Sequence, residues 1–288
     1  MLFSVLYGFW VASYIAFNAM SLLCTGDIAA GRAHFDQALA HYRAAEHRPL
    51  ATRFGQDVRV AIWSYGSWAL WFLGYPQAAL QDAKQALKDA REIGQAATLM
   101  YALHHGSLTQ IYCGNYATAN AEADELVALA DEKGSLLWKT LGMLNQGYLL
   151  ALTSKASDAV QMITAASAAF RSTGSTVFAP FYLSYLARAH AELGKFDDAW
   201  RCIGEAMTVV GTTKEKWFEA EVNRIAGEMA LKSPEPDAAK AEAYFERALA
   251  VARGQQAKSW ELRAAMSMAR LWHDQGKPQI VVCCKSNK

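Results

Sequence analysis

The sequence predicts an all-α solenoid of about six stacked helical hairpins with a period near 40 residues. Three observations carry this. Gly74, Gly114, Ser154 and Gly194 sit 40 residues apart. Small residues recur at fixed offsets from that series: Ser67, Ser107, Gly147 and Ala187 seven before it, Ala79, Ala119, Ala159 and Ala199 five after it. Every unit carries helical periodicity, and none alternates in the manner of a strand. Self-similarity at this period marks a solenoid in which each unit buries its apolar face on its neighbours.

The units follow in order. The first runs from the apolar N-terminus through Gly26, Gly31 and Ala38. Its spacing to Gly74 is 48 residues, and the excess around Glu46 to Gly55, with Pro49 inside, reads as a longer loop. The second places helix A at Gln56 to Leu73, a turn at Gly74-Tyr75-Pro76 and helix B at Gln77 to Ile93; Pro suits a first helical turn and Gly94 a C-terminal cap. The third spans Ala96 to Lys133 about Gly114, the fourth Leu136 to Arg171 about Ser154-Lys155, and the fifth Val177 to Val210 about Gly194. Gly134 and Gly174 close units as Gly94 does. In the sixth, Trp217 to Leu231 and Ala238 to Arg253 flank a turn two residues longer, at Ser233-Pro234-Glu235-Pro236. A seventh helix A covers Ser259 to Gln275. Residues 1–276 are thus one repeat solenoid, and 277–288 an unstructured or truncated tail.

Small residues recur for a steric reason. Helix axes approach to about 8–9 Å only where the contacting side chains are small. The residue seven before the turn and the one five after it face each other inside a hairpin. Ala86, Leu126, Ala166 and Ala206, twelve after it, receive the next unit.

Composition bounds the function. Hydrophobic residues make up 53% of 288, with only 6 prolines, as a helix-rich chain requires. Lys and Arg number 28 against 27 Asp and Glu, which excludes a basic sleeve for nucleic acid. The five cysteines are scattered, without zinc-ligand or redox spacing, and read as reduced cytoplasmic thiols. From Met1 to Gly26 no residue is charged. That stretch is long enough to cross a membrane, yet Ala19 keeps the repeat phase, which favours a packed solenoid helix.

The gap–spacer–gap pattern is that of tetratricopeptide-type repeats, in the longer form of about forty residues. Lys216-Trp217-Phe218-Glu219-Ala220-Glu221-Val222-Asn223-Arg224-Ile225-Ala226-Gly227-Glu228 is more specific. So is Ala241 to Gly276, with Ala248-Leu249-Ala250-Val251-Ala252-Arg253 and Ala269-Arg270-Leu271-Trp272. These resemble the C-terminal repeat region of bacterial proteins that fuse an adenylate/guanylate cyclase domain to a predicted ATPase module and then to tetratricopeptide repeats. The resemblance covers roughly residues 6–277 and implies a right-handed solenoid that senses or couples. Both ends depart from the family pattern, so self-association through uncapped ends is expected.

Catalytic signatures are sparse. There is no phosphate loop; Gly211-Thr212-Thr213-Lys214 lacks the second glycine. His104 and His105 are adjacent on a helix and diverge by about 100°, which prevents joint chelation. Glu221 and Glu228 flank Arg224 at ion-pair spacing. No enzyme activity, cofactor or metal is expected.

Extrapolating the repeat phase, the concave surface carries Trp68, Trp71, Tyr101, His104, Tyr148 and Phe181 in its first half and Arg188, Glu221, Arg224, Glu228, Arg263 and Arg270 in its second. Exposed aromatics and arginines there would anchor a bound peptide or domain; packing of the superhelix on itself is the competing reading. The expected role is a non-catalytic protein-interaction or regulatory module with protein or peptide partners, or upstream domains of the same parent. The alternatives are a small-molecule sensor and a membrane-tethered assembly factor.

Overall fold

A computed structural model describes residues 2–277, with side chains from residue 6 onward. The described residues form an α-solenoid without strands. Six hairpins follow one another: α1 (Leu2–Thr25) with α2 (Ile28–His41), α5 (Val58–Phe72) with α6 (Pro76–Ile93), α7 (Ala96–Tyr112) with α8 (Tyr116–Glu132), α9 (Leu136–Leu152) with α10 (Ala156–Ser172), α11 (Ala179–Glu192) with α12 (Phe196–Thr213), and α13 (Glu219–Lys232) with α14 (Ala238–Gly254). A further first helix, α15 (Lys258–Asp274), packs on α14. The tail expected at 277–288 lies outside the described residues, apart from Lys277.

The small-residue register is the hairpin seam. Ala79, Ala119, Ala159 and Ala199 are fully buried. A Cβ on Gly147 would stand 2.6 Å from Ile163 Cγ1, and one on Gly227 would overlap the Phe245 ring. At such spacing a larger side chain forces the helices apart.

Five of the six hairpin turns are closed by the same capping motif; the longer turn between α13 and α14 instead has the Asp237 N–H donating to the Ala230 carbonyl at 3.1 Å. Asp27, Tyr75, Asn115, Lys155 and Lys195 donate their N–H to the carbonyls of Leu22, Leu70, Gln110, Leu150 and His190, at 2.8–3.1 Å. The residue before each donor is left-handed: Gly26, Gly74, Gly114, Ser154 (φ 58°) and Gly194. The inter-hairpin series Gly94, Gly134 and Gly174 continues through Lys214 (φ 63°) and Gln256 (φ 55°), where no glycine betrays it.

Two segments differ from expectation. The stretch from Glu46 to Gly55, expected as a loop, is largely helical: α3 (Ala44–His47), a 3-10 turn (Arg48–Leu50) and α4 (Ala51–Phe54). Arg48 docks it on α6, reaching Asp89 and Glu92 at 3.2 Å each. Helices α11 and α13 begin at Ala179 and Glu219, later than the apolar pattern suggested, because the preceding backbone is engaged elsewhere. The Glu215 carboxylate accepts the Phe178 N–H at 2.9 Å and the Trp217 indole N–H at 2.8 Å. The Cys24 carbonyl accepts the N–H groups of Lys216 and Trp217, at 2.8 and 3.2 Å.

Helix α1 is two-faced. Phe9, Ala12, Ala16, Ala19 and Leu23 are buried, while Tyr7, Trp10, Tyr14 and Phe17 are each more than half exposed. It is the one described helix long and apolar enough to cross a membrane by length and composition, and its packed face meets α2, where Gly31 lets the backbones approach.

Ser154 holds a left-handed conformation that costs an L-residue about 1–2 kcal/mol relative to glycine. Replacing Ser154 by Gly should therefore stabilise the chain by about 1 kcal/mol. Gly114→Ala, at a site where an added Cβ meets nothing within 4 Å, should destabilise it by a similar amount. Denaturant unfolding checks both; equal midpoints for both variants and the parent would contradict the assignment.

Candidate functional site

The concave surface divides into a filled aromatic interior and an open charged cleft. The interior is built where the C-terminal ends of α5 and α7 meet the N-terminal ends of α11, α13 and α15. Trp68 stacks on Trp217, with ring centroids 5.7 Å apart. Trp71 meets Trp260 edge to face at 4.7 Å, and Phe72 lies 5.6 Å from Trp260. Phe181 stacks on Trp217 at 6.1 Å. The indole N–H groups are satisfied: Trp68 donates to the His105 carbonyl and Trp260 to the Trp217 carbonyl, each at 3.1 Å. Ser259 Oγ donates to the Trp71 carbonyl at 2.5 Å, and Gln255 to the Lys216 carbonyl at 2.8 Å. One turn of the superhelix has therefore closed upon itself. Gly26 and Gly74 allow this approach, since Cβ atoms there would press on Gln255 and Lys258.

Trp68, Trp71, Tyr101, His104, Tyr148 and Phe181 all lie in or beside this interior and are buried. The aromatic half of the expected groove is largely occupied by the protein's own second half, so five of these side chains present no open surface, while Tyr101, packed on Tyr65 and His105, borders a second cleft. The reason is superhelical closure, which repeat phase alone does not fix. Burial, the dominant effect, lowers the affinity of both histidines for a proton, taking His105 down to about 3 against a weak opposing bond from Nδ1 to the Tyr101 carbonyl. Both are neutral at pH 7. Among the described residues no group of three or more metal-ligating side chains converges.

The charged half does assemble. Glu221, on α13, is fully buried and takes two bonds from Arg224, both 2.7 Å, and two from Arg263 of α15, at 2.6 and 3.3 Å. Arg224 also donates to Glu228 and, at 3.3 Å, to Ser267 Oγ. The Tyr185 hydroxyl stands 3.5 Å from Glu221 and 2.7 Å from the Tyr148 hydroxyl, which ties the network to the aromatic interior. The Arg263 guanidinium lies 5.6 Å above the Trp260 ring. Burial by itself would raise the Glu221 carboxyl; the Arg224 and Arg263 guanidiniums overcome it and hold the group down at about 2.

Above this pair network opens a cleft of about 580 Å³, walled by α11, α13 and α15. Five cations line it, Arg188, Arg224, Lys232, Arg263 and Arg270, with the carboxylates of Glu228 and Asp274. Glu192 engages Arg188 and Lys232 at 3.5 and 3.9 Å. Arg270 is exposed at the rim and has no ion-pair partner among the described residues. Of the charged residues expected in the second half of the groove, Arg188, Arg224, Glu228, Arg263 and Arg270 line this cleft, Arg224 itself being buried, while Glu221 lies beneath it, out of contact with solvent. Lys232, Ser267 and Asp274 were missed by sequence reasoning. For Ser267 and Asp274 the signal was present on α15, where Arg263, Ser267, Arg270 and Asp274 recur at helical spacing on one face.

Such a fold and site define an α-solenoid of tetratricopeptide-like hairpins with a basic concave cleft. Solved structures agree in fold. The apo form of RapI matches with a TM-score of 0.60 at 14% identity, over 92% of this chain and 91% of that one. Aspartyl phosphate phosphatase F from Bacillus subtilis matches with a TM-score of 0.59 at 14% identity, over 95% and 68% respectively. A tetratricopeptide repeat protein from Parabacteroides merdae gives 0.47 at 14%, over 89% and 99%, and no argument rests on it. Likeness at this identity concerns the fold alone. No model of a known family and no curated protein matches the sequence.

Glu221 is held ionised well below its unfolded value of 4.5. Its contribution to stability is therefore complete above about pH 4.5 and is lost as the pH falls through about 2. At pH 7, Glu221→Gln leaves two guanidiniums without their buried counter-charge, at a cost of about 3–5 kcal/mol. Unfolding measured at pH 7, 4 and 2.5 should show this deficit shrinking towards the acid end. A deficit independent of pH would contradict the ion-pair account.

Proposed function

We propose that the chain is a non-catalytic protein-interaction and regulatory module whose arginine-lined cleft receives an acidic segment of a partner protein. The observation that carries this is Arg270, an unpaired cation on the rim of an open concave cleft with five basic side chains in its walls. A guanidinium there can meet a carboxylate in bidentate fashion through its planar fork. The solenoid supports the reading, since stacked hairpins offer an extended concave face to a chain-like ligand.

Within that role, the module serves as the sensing or coupling part of a cyclase- or ATPase-linked bacterial signalling protein of the cytoplasm, with residues 1–276 as one solenoid. The support is the sequence resemblance of residues 216–228 and 241–276. On this reading the chain itself neither cyclises nor hydrolyses ATP.

A labelled, glutamate-rich decapeptide, titrated by fluorescence anisotropy, tests the cleft. Binding should weaken with salt, and Arg270→Glu should reduce it at least about tenfold, equivalent to about 1.4 kcal/mol, without altering the unfolding midpoint. Equal affinity for a lysine-rich decapeptide, or no effect of Arg270→Glu, would overturn the assignment.

A further inference from the structure

A second cleft, of about 390 Å³, lies at the other end of the concave face, where α1 crosses the N-terminal ends of α5 and α7. It shares no residue with the arginine cleft. Phe9 and Phe54 stack in its wall with centroids 4.7 Å apart, and Trp10 meets Phe54 edge to face at 5.5 Å. Phe17, 68% exposed, and Trp10, 56% exposed, form its lip. Aromatic rings gathered around a concavity, rather than scattered singly, mark a ligand site more than ordinary surface.

The polar groups narrow the ligand further. No charged residue lines the cleft. Outside the lining, the exposed Arg53 guanidinium lies over the Phe54 ring, 5.7 Å from its centroid, where solvent screens it; a charged ligand would shed water for little return. Gln56 is half-buried in the wall, and behind it the Tyr101 hydroxyl interacts with the Gln56 side chain and with Tyr65. The site thus offers flat π surfaces and one amide, Gln56, backed by the Tyr101 hydroxyl. Its size falls within the range of about 300–1,000 Å³ typical of small-molecule sites.

We propose that this cleft binds a neutral, planar, fused-ring aromatic molecule bearing one hydrogen-bonding group. The rings lie against Trp10, Phe17 and Phe54 in offset or edge contact, and the polar group meets the Gln56 amide. The site is independent of the acidic-segment cleft, so either assignment stands or falls alone.

Titration of the full chain with 2-naphthol, followed by ligand fluorescence, tests the proposal. Saturable one-to-one binding is expected, with naphthalene-2-sulfonate at least about tenfold weaker because it brings an unpaired charge. Ala61→Phe should abolish binding by filling the cleft. Gln56→Leu, which leaves the cavity open, should reduce the preference for 2-naphthol over naphthalene; circular dichroism establishes that both variants are folded. Sulfonate binding as tight as naphthol, or naphthol binding unchanged in both variants, would overturn it. So would a chain that sediments as a dimer dissociated by Trp10→Ala, or that partitions onto phosphatidylcholine vesicles through Trp10 while ignoring naphthol. Those results would give the aromatic lip to a second copy or to a lipid surface.

Discussion

Contact between Trp71 on the second hairpin and Trp260 on the last helix is the interaction on which the rest of the molecule depends. Repeat stacking alone fixes only neighbours, and a superhelix built that way could remain an open spiral. Here the inward side chains are large enough to meet across the axis. Trp68, Trp71 and Phe72 of the second hairpin interlock with Trp217 and Trp260 from the later part of the chain, and Phe218 packs between those two. Each such ring removes apolar surface from water worth roughly 1.5–3 kcal/mol. The solenoid is converted into a body with a core of its own, and long-range contacts replace purely nearest-neighbour ones.

Closure shapes the functional surfaces. The aromatic interior divides the concave face, leaving one cleft lined by arginines and another lined by aromatic rings. The arginine cleft is braced from beneath: Arg263 rides on Trp260, and Glu221 links Arg263 to Arg224 and faces Tyr185. A buried carboxylate held by two guanidiniums stabilises little beyond what apolar packing would, but it fixes the orientation of both cations. Arg270, beyond that network, is left free to meet a ligand. The site therefore pairs an ion-paired floor with one unpaired cation at its rim.

Much of this architecture was legible in the sequence, and the remainder was not for identifiable reasons. The seam alanines and turn glycines reported the hairpins because backbone approach and left-handed φ impose small residues. Lys214 and Gln256 take the same conformation without being glycine, so the periodic signal faded in the second half. Trp217 and Phe218 read as helical, yet Glu215 and the Cys24 carbonyl capture their segment, a contact between distant units that periodicity cannot show. Repeat phase identified which side chains point inward. Whether inward means a groove or a core depends on superhelical pitch, and hence the aromatic and the charged inward residues alike were open to both readings.

A double-mutant cycle on Trp71 and Trp260 tests closure most directly. Trp71→Leu, Trp260→Leu and the double variant would be compared by denaturant unfolding. An edge-to-face pair at 4.7 Å should give a coupling energy of about 0.5–1.5 kcal/mol. Strictly additive effects, together with a scattering envelope of an open spiral, would contradict the closed superhelix.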